Sequence, residues 1–157
     1  MGLIEPGRQV HCTALSGGVS SDIIRVDLPE GPICLKRALA QLKVAAEWRA
    51  PVERSAHEVA WMRAATRAVP GSAPAVLGVD VQSRSFAMPY LDPATYPLWK
   101  AELHAGRVEP AIAAAVGARL VGIHAATAGD AEVARTFATD EKFHAIRLEP
   151  YLIASAR

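Results

Sequence analysis

The chain has 157 residues, half of them apolar, which suits one domain with a sizeable core and excludes a disordered composition. Seventeen basic residues against sixteen acidic ones leave a net charge of +1, and no basic run exceeds Lys36-Arg37, so neither nucleic acid nor an anionic membrane is called for as a partner. Cys12 and Cys34 are too few for a disulfide framework, no apolar run reaches about 18 residues, and MGLIEPGRQV lacks the basic start and apolar block of a signal peptide. The expectation is a cytoplasmic chain whose two cysteines are small buried hydrophobes in a reducing compartment.

The elements follow in chain order. Gln9 to Leu15 reads as a strand, Ser16-Gly17-Gly18 as a turn, and Asp22 to Leu28 (DIIRVDL) as a second strand rich in β-branched residues. Pro29-Glu30-Gly31-Pro32 is a tight turn, and Ile33 to Leu39 (ICLKRAL) a third strand, which together predict an antiparallel meander. Val52 to Val69 has no Gly or Pro and predicts a helix of about five turns, entered at Pro51 and closed by Pro70-Gly71-Ser72. Two short strands follow, Ala75 to Val81 and Ser83 to Met88, and then an extended linker, Pro89-Tyr90-Leu91-Asp92-Pro93. Beyond it only helices are predicted: Trp99 to His104, Glu109 to Thr127 with Ile112, Val116, Leu120 and Ile123 on one face, then pieces near 131–137, 140–146 and 148–155.

Three places in this order bear on chemistry. Leu15-Ser16-Gly17-Gly18-Val19-Ser20-Ser21-Asp22 lies between two strands, where glycines let backbone N–H groups come close to an anion. It is neither a Walker A loop, since no Gly-Lys-Ser/Thr follows, nor a three-glycine kinase loop, and Gly-Gly between strands is also an ordinary hairpin. Lys36 stands inside the third strand with Cys34 on its own face and Leu35 and Arg37 on the other. Such a lysine ordinarily faces solvent. The functional alternative is a contact with ATP phosphates and a pairing with a helical glutamate. Glu58, in His57-Glu58-Val59-Ala60-Trp61-Met62, supplies that partner one turn before Met62, in competition with Glu53 and Glu47.

In this order and spacing, LSGGVSSDIIRV, ICLKRAL, HEVAWM, SFAMPYLD, LVGIHAAT and the pattern from Phe137 through Phe143 and Arg147 to Pro150-Tyr151 resemble the aminoglycoside phosphotransferase / choline kinase superfamily over essentially the whole chain. The resemblance implies an α+β fold: a protein-kinase-like small lobe over residues 1–91, with a five-stranded antiparallel sheet and one helix, followed over 92–157 by the first helices of an α-helical large lobe. It implies an ATP-dependent phosphotransferase acting on a hydroxyl of a small molecule such as an aminoglycoside, sugar or amino alcohol. Gly17, Gly18, Ser20 and Ser21 would lie over the ATP phosphates. Lys36 would hold the α- and β-phosphates, oriented by Glu58, and Met88 and Tyr90 would meet adenine at the hinge.

Phosphoryl transfer on such a scaffold also needs a base Asp, a metal-holding Asn a few residues on, and a second metal-holding Asp for Mg²⁺. The sequence contains no asparagine. His124 and Asp130 do not form the required loop, because they continue a helix at a spacing of six rather than two. The expectation is therefore no catalytic or metal-binding residue in this chain, a product that ends before the catalytic loop, and little turnover by itself. Self-association, or a missing C-terminal half as partner, would cover the helical half. The alternative is a non-catalytic nucleotide-binding or protein-interaction module derived from that fold.

Overall fold

Three strands open the fold in the order set by the turns between them: β1 (His11–Ala14), β2 (Ser21–Asp27) and β3 (Ile33–Ala38), each antiparallel to the one before. The computed structural model describes every residue except Gly17, Ala46, Ala154, Ser155 and Arg157. The turn from β2 to β3 uses Gly31 at φ 124°, a conformation that side chains resist, and closes through its N–H to the Leu28 carbonyl at 3.0 Å.

The predicted helix forms as α1 (Arg54–Ala68). No side chain caps its start. The first N–H groups instead use short-range carbonyls, Ser55 to Val52 at 3.1 Å and Ala56 to Glu53 at 3.0 Å. Ser55, Val59, Met62 and Ala65 are buried along one stripe, the spacing of a single helix face.

Two further strands, β4 (Gly78–Asp80) and β5 (Ser85–Pro89), complete a five-stranded antiparallel sheet in the order β1-β2-β3-β5-β4. β4 is shorter than the predicted 75–81. Its partner begins only at Ser85, after a turn in which Arg84 takes φ 54°. The register places Lys36 opposite Ile23 on one side and Phe86 on the other, with Cys34 opposite Met88. These side chains share one face of the sheet. Phe86, 1% exposed, packs there against Val59 and Met62 of α1, with Ala73, Val76 and Met88 around them. Burying that ring contributes about 2–3 kcal/mol.

Beyond β5 the described chain has only helical elements: α2 (Trp99–His104), α3 (Pro110–Thr127), α4 (Ala131–Thr136), α5 (Asp140–Phe143) and a π-helical segment, His144–Ile153. The piece predicted near 140–146 begins as α5, and the π-helical segment takes its last three residues and joins them without a break to the piece predicted near 148–155, as far as Ile153. Pro150 within it has no N–H to donate, and the run continues on the wider i→i+5 turn. No described residue of these helices is buried. Gly122 of α3 lies close to the residue that ends α1: a Cβ there would lie 2.7 Å from Val69 Cγ2. Ile112 and Leu120 of the predicted apolar face are 41% and 46% exposed. Contrary to the sequence expectation, α3 does reach membrane-span length, with mean hydropathy 1.3 over its 18 residues. Arg119 in its middle nevertheless donates to the Pro70 carbonyl at 3.2 Å, tying it to the end of α1.

Candidate functional site

Lys36 is placed by the sheet and Glu58 by the helix. Because Phe86 lies beneath α1, its ladder neighbour Lys36 also faces the helix rather than open solvent, and its side chain is 22% exposed. Glu58 stands one residue before Val59 and one turn before Met62, both of which anchor α1 on the sheet. Lys36 Nζ donates to Glu58 Oε1 at 2.5 Å. The competing glutamates are engaged elsewhere: Glu47 with Arg49 at 3.2 Å, and Glu53 with Arg84.

The pair lines a cavity of about 320 Å³. Ser20, Ser21 and Phe86 line it too, so the serines of the glycine-rich stretch share this cavity with the Lys36–Glu58 pair. Ser21 is itself buried, and Ser20 spends its carbonyl on the Leu39 N–H at 3.0 Å and on Arg54. Gly18 does not line the cavity. Its φ is not in the left-handed range, and an added Cβ would make an ordinary 3.5 Å contact with Ile23. Gly17 lies outside the described residues.

Met88 and Tyr90 are not brought to this cavity. Met88 is half-buried against the core cluster beside Cys34, whose thiol is pushed up by burial, with a small opposing effect of Lys36. The backbone N–H of Tyr90 already donates to the Pro32 carbonyl at 3.2 Å, and the Arg25 guanidinium stacks 4.7 Å from its ring centroid. Met88, paired with Cys34, lies on the Lys36 face of the sheet, and Tyr90 follows the end of β5 at Pro89.

The rest of the lining was not foreseen as part of a site. Arg54, at the first residue of α1, donates through Nη1 to the carbonyls of Ala50 (3.1 Å) and Pro51 (2.8 Å), and through Nη2 to those of Leu39 (2.7 Å) and Ser20. Burial holds its pKa below the usual arginine range, partly offset by Glu58 and Glu53. One signal for it was in the sequence, since a cation at a helix N-terminus opposes the dipole and needs another reason to be there. Trp48, Ile146, Arg147 and Tyr151 also line the cavity. Trp48 Nε1 donates to the Ala145 carbonyl at 3.1 Å, and its ring meets Tyr151 edge-on at 6.2 Å.

The set-aside His124 and Asp130 have structural settings. His124 is an exposed residue of α3, and Asp130 caps α4, accepting from the N–H groups of Glu132 at 2.8 Å and Val133 at 3.0 Å. Among the described residues no three His, Cys, Asp or Glu side chains converge. The chain was also compared with known proteins: no family model matches it, and no curated protein does.

Proposed function

We propose that the Lys36–Glu58 cavity binds the phosphates of ATP, on a protein-kinase-like small lobe of the kind found in small-molecule phosphotransferases. One observation carries the reading: a strand lysine and a helix glutamate, 22 positions apart, form an ion pair at the wall of a cavity that also holds the serines of the glycine-rich turn. That juxtaposition orients an ammonium toward a phosphate chain. The cavity's volume of about 320 Å³ is at the low end for ligand sites, which suits the phosphate end of a nucleotide. Lys36, Ser20 and Ser21 are the residues that would hold it. The resemblance would put adenine at Met88 and Tyr90, beyond the lining of this cavity. For the whole activity the acceptor would be a hydroxyl on an amino sugar, sugar or amino alcohol. Mg²⁺ does not fit the residues at hand: Glu58 is committed to Lys36, and no step is assigned to a metal.

Nucleotide titration by calorimetry tests the reading. Wild type is expected to give ATP-dependent heat, and Lys36→Ala to weaken ATP binding at least about tenfold, as loss of a charge-assisted contact predicts. Equal binding by Lys36→Ala, or no ATP heat from wild type, removes the site assignment. The absence of asparagine from the sequence favours a second reading, a nucleotide-binding module without turnover. ATP binding without release of ADP in the presence of amino-sugar or amino-alcohol acceptors separates it from the first.

A further inference from the structure

Among the described residues three cations line the Lys36 cavity, and they are not equally committed. Lys36 is paired with Glu58. Arg54 spends its two terminal nitrogens on four backbone carbonyls. Arg147 is different. Its guanidinium donates only to the carbonyl of its neighbour Ile146, at a long 3.4 Å, and among the described residues no carboxylate pairs with it. A guanidinium has five N–H donors in a planar fork that matches two phosphate oxygens, so most of its capacity is unspent.

Its position is fixed from the sheet outward. The loop after β3 is held by Arg54 and by the Ala50 N–H to the Ala40 carbonyl at 3.0 Å. That loop presents Trp48, which is itself tied back through its carbonyl to the Leu42 N–H at 2.9 Å. Trp48 in turn grips the π-helical segment on both sides of Arg147, at the Ala145 carbonyl and at the Tyr151 ring. Irregular π-turns of this kind often mark functional positions. Arg147 also borders a smaller hollow of about 200 Å³ with Lys142 and His57, so the basic character continues past the cavity mouth.

We propose that Arg147, carried on His144–Ile153 and positioned by Trp48, is a phosphate-binding residue of this cavity, acting on the same phosphate chain as Lys36. The proposal rests on the reading of the cavity as a polyphosphate site. The arrangement divides the work: Lys36 is a point charge held by Glu58, and Arg147 is a planar fork that clamps the exposed phosphate oxygens.

The test titrates the full chain and its variants with ATP, inorganic triphosphate and adenosine. Arg147→Gln is expected to weaken ATP and triphosphate by about tenfold each, the loss of one charge-assisted contact, while adenosine binding stays unchanged. Arg147→Lys should recover part of the loss, since it restores charge without the fork. If Arg147→Gln binds ATP and triphosphate as wild type does while Lys36→Ala loses both, the role of Arg147 is overturned and the nucleotide reading stands. If wild type binds triphosphate but not ATP, and Arg147→Gln loses it, the nucleotide reading falls and the role of Arg147 stands. If wild type binds neither, both are overturned.

Discussion

A guanidinium at the first residue of a helix sits against partial positive charge, so Arg54 holds its place through what it reaches. It reaches the exit of the glycine-rich turn at Ser20, the exit of β3 at Leu39 and the entry to its own helix at Ala50 and Pro51. Removing it takes the side-chain donor from the partly buried carbonyls of Ala50 and Leu39, while Ser20 keeps the Leu39 N–H. Arg54→Met, which keeps much of the length and none of the donors, should therefore destabilise the fold by about 2–3 kcal/mol in urea unfolding. A loss below about 1 kcal/mol would mean that water takes over those carbonyls without penalty. At this scale the Lys36–Glu58 pair was legible only as the alternative to a solvent-facing lysine, since alternation by itself left Lys36 toward solvent and the order of strand and helix, read through the resemblance, suggested the meeting. The sequence was not legible for Trp48 and Arg147. Their setting depends on a contact between residues 97 positions apart, which no local pattern encodes.

Helix α3 shows why an element can be predicted with nearly its right bounds and still be misread. Its start at Pro110 and end at Thr127 follow from proline at the entrance and glycine at position 129 beyond the end. Yet Ala, Val, Leu and Ile occur all around it, so the spacing of Ile112, Val116, Leu120 and Ile123 could not say which side is covered. The side that meets α1 is marked by a glycine instead. Two substitutions separate the effects. Gly117 has open space around it, and Gly117→Ala should stabilise by about 0.5–1 kcal/mol through helix propensity. Gly122→Ala gains the same propensity but drives a methyl against the stiff Val69 side chain, at a cost of about 1–3 kcal/mol. Thermal melts should rank Gly117→Ala above wild type, with Gly122→Ala the less stable of the two variants. Equal gains in both would show that α3 does not rest on α1.

Across the whole molecule, burial is uneven. The residues below a tenth exposure lie in β2, β3, β5, α1 and the loop that joins β3 to α1, and none lies in α2 to α5. Amide hydrogen exchange should therefore be slowest in β3, β5 and the middle of α1, and at least about tenfold faster in α2 and α4, where opening exposes little new apolar surface. Uniform protection across both halves would contradict this picture. The meander of β1, β2 and β3 was readable from two turns and three apolar runs. The insertion of β5 between β3 and β4 was not, since pairing order is decided by which strand carries Phe86 under α1.

The reach of Arg54 also bears on how the cavity comes into being. Its bonds to Ser20 and Leu39 join positions 34 and 15 apart, and the Lys36–Glu58 pair spans 22. None of these contacts survives in an isolated hairpin or an isolated helix, so their loop-closure entropy is met only when sheet and helix come together. The cavity thus exists only where sheet and helix are joined. A partly folded chain would hold no weakened version of it, and a ligand that fits the finished cavity would act on the folding equilibrium as a whole.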